Sequence, residues 1–308
     1  MPVRMSCPHC NGPCLVADQH VGATVQCSHC RQPFVARPNT AEPPTRPPRL
    51  EVGSATSVGR VRRRNEDSFL VQQVAWADVD GFQEVVLLAL ADGMGGYEAG
   101  HQASRLVVET VGATLAPLLA GAWTGQLKTA SPTVLAENID YALLEANRVV
   151  LRKGQSDPAC KGMGATAEVV LIWAGRALIG HVGDCRVYHQ RGDRVTQLTK
   201  DQTLVARMVE LGTLTPREAL SHPARNEVAQ AVGKYPNMTP ARYEAALTAG
   251  DWLIAASDGL HAHLDDKALQ AELAKPAASA AERALRLVES ADQKGGSDNC
   301  TVLSVRCW

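Results

Sequence analysis

Four short acidic signatures mark this chain, each adjoining an apolar, strand-like run: Asn65-Glu66-Asp67, Asp92-Gly93-Met94-Gly95-Gly96, Ser257-Asp258-Gly259 and Gly296-Ser297-Asp298-Asn299. A carboxylate at a strand end sits at the rim of a sheet, where loops build sites. Several carboxylates converging there repel one another unless divalent cations neutralise them. The donors are all oxygens, from Asp and Glu beside a glycine carbonyl, which suits Mg²⁺ or Mn²⁺ rather than Zn²⁺. The chemistry to expect is that of a two-metal hydrolase.

Strands and helices in blocks must carry these groups. Val85 to Ala91 is a continuous apolar run, the pattern of a strand buried on both faces. Further strands are predicted at Thr166–Trp173, Ala177–Val182, Arg186–His189, Val195–Leu198, Trp252–Ser257 and Cys300–Arg306. Helical spacing runs through Glu98–Leu119 and Val134–Leu151, and Ala268–Ala291 is helix-rich. Asp201 to Leu211 reads as a helix with Asp201 as its N-cap. Strands in runs and helices in pairs predict sheets covered by helices, an α+β arrangement, rather than strict βαβ alternation.

A different chemistry occupies the start. Cys7-Pro8-His9-Cys10 and Cys27-Ser28-His29-Cys30 are two Cys-x-x-Cys pairs separated by sixteen residues, the spacing of a structural zinc site. So short a segment has almost no core, and the metal would supply most of its folding free energy. A redox pair or a disulfide is the alternative reading, and Cys14 stands as a spare thiol. Residues 37–50 hold Pro38, Pro43, Pro44, Pro47 and Pro48 and predict an extended spacer. The domains expected are therefore a zinc-ribbon-like module at 1–36, a proline-rich linker at 37–50 and a large domain at 51–308.

Charge excludes some functions. The first fifty residues carry a net +3 and the remainder a net −4, which suits a cation site better than a polyanion-binding surface. Only Phe34 offers an aromatic platform in the ribbon segment, so nucleic acid is not expected. No apolar run reads as the roughly 18 residues of a membrane span, and Met1–Cys10 lacks a signal-peptide pattern. Nine cysteines, an odd set, suit reduced thiols in the cytoplasm.

Seven motifs occur in order: Arg62-x-x-Asn65-Glu66-Asp67, Asp92-Gly93-Met94-Gly95-Gly96, Gly162-Met163-Gly164-Ala165-Thr166, Gly183-Asp184-Cys185-Arg186, Leu198-Thr199-Lys200-Asp201, Ser257-Asp258-Gly259-Leu260 and Gly296-Ser297-Asp298-Asn299. This order resembles the metal-dependent type 2C Ser/Thr protein phosphatases in their bacterial form, over about residues 52–306. The resemblance implies an α-β-β-α sandwich, two packed and mainly antiparallel sheets flanked by helix pairs, preceded here by the small zinc ribbon. It implies that Asp67, Asp92, Asp258 and Asp298, with the Gly93 carbonyl, hold two Mn²⁺ or Mg²⁺. Glu66 would act through water, a bridging hydroxide would attack phosphorus in line, and Arg62 would grip the phosphate. Phosphoserine and phosphothreonine proteins are the implied substrates, opposing a cognate Ser/Thr kinase.

The chain also departs from the pattern. Met94 stands where animal relatives often have a His, leaving water as the leaving-group acid. Ala165 replaces a Thr, and Asp201-Gln202-Thr203 replaces Asp-His-Ser. Lys161 and Asp157 lie near where some relatives bind a third, weak cation. Asp184 reads as a structural hydrogen-bond acceptor. Residues 203–226 resemble the mobile flap beside the site. The competing readings are a binding module, whose ribbon docks a protein partner, and a pseudo-phosphatase scaffold, which would need a missing ligand.

Overall fold

The structure, a computed structural model, describes residues 3–6, 13–17, 20, 23–28, 30–36, 47–95, 99–219, 222–225 and 227–308. Cys7, Cys10, Gly96 and most of the proline-rich spacer lie outside the described residues. The chain divides into two compact units, residues 1–45 and 46–308.

In the small unit, β1 (Val3–Ser6) pairs antiparallel with β2 (Pro13–Val16), and β3 (Thr24–Gln26) with β4 (Pro33–Val35). Cys14, Val16, Cys27, Phe34 and Ala36 form its small buried cluster.

The large unit begins before the predicted boundary. Residues 47–50, assigned to the spacer by their prolines, run along its edge: Arg49 and Trp308 exchange backbone bonds of 2.8 and 2.9 Å. The strands are β5 (Leu50–Ser57), β6 (Asp67–Asp78), β7 (Gly81–Met94), β8 (Gly164–Ala165), β9 (Ala167–Trp173), β10 (Arg176–Val182), β11 (Arg186–Arg191), β12 (Arg194–Gln197), β13 (Ala241–Ala246), β14 (Trp252–Ala256) and β15 (Cys300–Cys307). The helices are α1 (Ala99–Ala120), α2 (Gln126–Thr129), α3 (Pro132–Ser156), α4 (Leu204–Glu210), α5 (Pro216–Ala219), α6 (Asp258–His261), α7 (Asp266–Ala274) and α8 (Ala280–Gln293). One sheet runs β13-β10-β9-β7-β6 with β8 attached to β7, and the other runs β12-β11-β14-β15-β5. Every paired strand is antiparallel.

The apolar run on β7 shows why the layers stack. Val85, Leu87, Ala89 and Ala91 face the helices α1 and α3, while Val86, Leu88 and Leu90 face the second sheet. Side chains alternate along a strand, so a strand covered on both faces is apolar throughout. A third core, with Ile254, Ala256 and Val302 against Leu269, Leu287 and Val288, seats α7 and α8 on the outer face of the second sheet. The result is helix pair, sheet, sheet, helix pair.

Three sequence expectations are revised. Ala99–Thr124 contains an 18-residue window of mean hydropathy 1.5, long and apolar enough by length and composition alone to cross a membrane, which the sequence reading passed over. Its apolar stripe, Ala103, Val107, Val111 and Leu115, is buried on the first sheet, so it is a core helix. Helix α4 starts later than predicted: Thr203, not Asp201, is the N-cap and accepts from Ala206 N at 3.2 Å. Asp201 instead binds the Arg186 guanidinium, at 2.8 and 2.6 Å.

Candidate active site

Both sheets deliver acids to the same end of the sandwich. Asp67 opens β6 and lies directly opposite Asp92 on β7. Like charges facing each other across an antiparallel pair are destabilising unless something neutralises them. From the second sheet, Asp258 follows β14 and Asp298 precedes β15. Arg62, Glu66, Asp92, Gly93, Asp258 and Asp298 line one open cleft of about 670 Å³.

Each acid is aimed by its neighbours. Asp67 Oδ2 accepts from Ser257 Oγ at 2.8 Å and Thr301 Oγ1 at 2.6 Å, tying the first sheet to the second. Asp92 is fixed through its backbone, with Thr166 Oγ1 accepting from its N–H at 2.9 Å and Thr166 N donating to its carbonyl at 2.9 Å. The motif asparagines hold backbone: Asn65 Oδ1 accepts from Asp67 N at 3.1 Å, and Asn299 Oδ1 from Glu66 N at 2.9 Å. Asn299 Nδ2 also donates to Val58 O and Arg64 O, which clamps the arginine-bearing loop. Gly93 is glycine for lack of room, since a Cβ there would stand 2.1 Å from Gly100 O and 2.8 Å from Glu66 O.

The electrostatics are those of a site built for cations. Burial pushes the Asp67 carboxyl up to about 7, with Asp258 and Asp298 adding to it against the bonds from Thr301 and Ser257. Burial and Asp298 raise Asp258 to about 6, and burial with Asp258 and Asp67 raises Asp92 well above the carboxylate range. Glu66 is also raised by burial, against the pull of Arg62. Asp67 Oδ1, Asp258 Oδ1 and Glu66 Oε1 are buried with no protein hydrogen-bond partner. Orphaned acceptors of this kind fit a divalent cation, which satisfies the oxygens and removes the repulsion together. Among the described residues no group of three or more His, Cys, Asp or Glu side chains stands close enough to hold a metal ion as placed. Asp92, Asp258 and Asp298 line the cleft, whereas Asp67 lines a neighbouring one.

Arg62 donates from Nη2 to Asp298 Oδ2 at 2.7 Å, and this bond raises its pKa further. Some residues demoted or passed over at the sequence level also stand here. Asp184, read as a structural acceptor, lines the cleft, and burial beside Asp258 takes its carboxyl up to about 7. Met94, Glu227, Lys234 and Tyr235 line it too. Asp157 is occupied elsewhere: it pairs with Lys153 at 2.7 Å and accepts from Ala159 N at 3.0 Å. The flap region carries α4 and α5, and Thr203 bridges to Val228 next to the cleft.

In the small unit, Cys27 and Cys30 form a tight turn. Cys30 N donates to Cys27 Sγ at 3.5 Å, Arg31 N to Cys27 O at 3.0 Å, and Arg31 takes φ of 59°. Cys14, taken as a spare, is buried with its Sγ 3.7 Å from Cys27 Sγ.

The fold is a two-sheet antiparallel sandwich with buried carboxylates gathered at one end. Residues 59–293 match the protein phosphatase 2C family, and the chain belongs to that family of Ser/Thr protein phosphatases. It is 35% identical over 254 residues to the Ser/Thr protein phosphatase PstP of Mycobacterium tuberculosis, covering 82% of this chain and 44% of PstP. It thus spans less than half the length of that relative. It is 33% identical over 257 residues to the protein phosphatase PhpP of Streptococcus pneumoniae, covering 83% of this chain and 97% of PhpP. The crystal structure of the PstP catalytic domain in complex with two manganese ions superposes with a TM-score of 0.65 at 33% identity, covering 83% of this chain and 97% of that one.

Proposed function

We propose that the cleft hydrolyses phosphoserine and phosphothreonine in protein substrates, with Asp67, Asp92, Asp258, Asp298 and the Gly93 carbonyl holding two Mn²⁺ or Mg²⁺. The observation that carries this reading is the buried, unpartnered oxygens of Glu66, Asp67 and Asp258, which come from both sheets, with Asp258 and Asp298 acting electrostatically on Asp67. When bound, the cations supply a water of lowered pKa and neutralise the phosphoryl charge. The protein's own groups do the rest. Glu66, at the cleft wall, accepts from and orients water. Arg62 spends one donor on Asp298 and keeps the others of its guanidinium for phosphoryl oxygens. Met94 has no proton to give, so water protonates the leaving alkoxide. Substrates are proteins phosphorylated by a Ser/Thr kinase, and a reducing compartment, the cytoplasm, suits Cys160, Cys185, Cys300 and Cys307, which are free thiols in the large unit. The test is phosphate release from a phosphothreonine peptide with Mn²⁺ and with EDTA. Release that ignores EDTA, or none with Mn²⁺ bound, rejects the reading.

For the small unit we infer one structural Zn²⁺ held by Cys7, Cys10, Cys27 and Cys30, forming a ribbon that docks a protein partner rather than nucleic acid. What supports this is the Cys27–Cys30 turn, in which the Cys30 N–H bonds Cys27 Sγ at 3.5 Å. Cys14 stands beside that turn as a further thiol, its Sγ 3.7 Å from Cys27 Sγ. Metal analysis of the full chain should give one zinc, lost in Cys27→Ser; retention of zinc in that variant would exclude the assignment.

A further inference from the structure

Lys234 stands on the cleft wall, and no step of the hydrolysis above uses it. Its position is fixed from several sides. Val232 and Ala165 exchange backbone bonds of 2.8 and 3.0 Å, which anchors the segment to β8. From beneath, the buried Asn147 of α3 accepts from Gly233 N at 2.7 Å and donates to Tyr235 O at 2.9 Å. Gly233 has φ of +85°, and a Cβ there would come 2.3 Å from Val150 Cγ1, so the backbone lies flat on α3. The aliphatic stem of Lys234 runs against Gly164, where an added Cβ would meet its Cε at 3.2 Å and Cγ at 3.3 Å. The ammonium donates to Gly162 O at 3.0 Å. That leaves further N–H donors, and among the described residues no carboxylate takes them. Next to it, Tyr235 is 56% exposed.

Lys234 is itself exposed, and its bond to Gly162 O with the Gly164 contact restricts the stem in part, which lowers the side-chain entropy lost on binding. Its surroundings also select the ligand. The other charged residues of the lining are six acids and Arg62, and Arg62 bonds Asp298. An acidic side chain entering with a substrate therefore meets one favourable place. The geometry points to a specificity subsite in which Lys234 binds an Asp or Glu side chain flanking the phosphorylated residue of a substrate, with the Tyr235 ring against the adjoining peptide. The assignment rests on the phosphatase reading of the cleft.

The experiment compares phosphothreonine peptides that differ in one flanking residue, Glu, Gln or Lys, at successive positions on either side. Wild-type protein should prefer Glu over Gln at one position in kcat/KM. Rim ion pairs are weak, so Lys234→Ala should lower that Glu-to-Gln ratio about threefold to fivefold, through KM. Lys234→Glu should turn the preference toward the Lys peptide. Asn147→Ala should blunt the ratio without removing any charge. A ratio unchanged in Lys234→Ala, or an equal fall for all three peptides, overturns the subsite. Fluorescence anisotropy with the same peptides carrying a non-hydrolysable phosphonate separates the two claims. Selective binding without turnover by the Mn²⁺-loaded protein would reject the catalytic reading and keep the subsite. Turnover without charge selectivity would do the reverse.

Discussion

Two sets of inward-facing aspartates occupy this sandwich, and they are treated in opposite ways. Asp201 and Asp251 are compensated. Burial alone would raise Asp201, but Arg186 grips both its oxygens and holds the carboxyl below its ordinary value. Burial of Asp251 is likewise overcome, by Arg191 at 2.8 and 2.6 Å with the Thr248 N–H assisting. At the rim, Asp67, Asp92, Asp258 and Asp184 are raised, and only neutral hydroxyls reach Asp67. The same residue type therefore reports two functions according to its partner. A paired buried carboxylate is architecture, while a cluster left without cationic partners is what the proposed cation site requires.

The strongest way to break the contrast is to remove one acid from each set. Asp258→Asn should cut Mn²⁺-dependent phosphate release on the order of a thousandfold, because a charge-stabilising group at the reaction centre is lost. Its metal-free form should melt no lower than wild type, since a repelling charge has gone. Asp201→Asn should do the opposite. It leaves the Arg186 charge half-satisfied, so Tm should fall by about 6 °C for a loss of about 2 kcal/mol, while manganese binding by calorimetry stays near wild type. An Asp258→Asn protein that melts far below wild type without metal would show that the rim acids are structural after all.

Arg62 sharpens the comparison from the cationic side. Unlike Arg186, it is substantially exposed, with 44% of its side chain accessible, and its carboxylate partner among the described residues is a rim acid. Arg62→Ala should lower kcat/KM about a hundredfold on phosphopeptides and leave Tm almost unmoved, as expected of a solvent-facing group that acts on substrate. Arg62→Lys should recover only part of the loss, because a point charge does not reproduce the guanidinium fork. A Tm drop matching that of Asp201→Asn would place Arg62 with the architectural pairs.

What the sequence conveyed depended on how local each signal was. The run Val85–Ala91 announced a strand buried on both faces because seven unbroken apolar residues are enough to say so. The acidic motifs gave the residue types of the site. They did not give the register that sets Asp67 opposite Asp92, nor the β6 strand, where Gln72 and Gln73 interrupt the apolar pattern. Asp201 looked like an N-cap because a helix follows it, whereas its partner Arg186 lies fifteen residues back on another strand. Asp184 was set aside because the burial and the Asp258 charge that raise it come from distant segments. Lys234 carries no local signature, since its placement comes from Asn147 on α3 and from Gly162 and Gly164.

The smallest expected effect is a slope with pH, and its sign follows from the raised acids. Folded Asp67 and Asp184 titrate at about 7 and Asp258 at about 6, against an ordinary 3.8. Between those limits the folded metal-free chain holds more protons than the unfolded chain, so its stability falls as pH rises from 4 to 7. His261 works the other way at the acid end, because burial beside Arg186 lowers it to about 3 and keeps it neutral where an unfolded His would charge. That contribution is common to the metal-free and metal-loaded protein and cancels in their difference. Divalent cations bind the ionised carboxylates and release those protons, so the loaded form should lose the downward slope. Tm measured from pH 5 to 7.5 with EDTA and with saturating Mn²⁺ should therefore give curves that diverge toward neutral pH, by several degrees at the upper end. The compensated acids, Asp201 and Asp251, already lie below the window and add nothing to the divergence. Parallel curves would mean that the rim carboxylates are neutralised within the protein itself, and the distinction between the two sets would collapse.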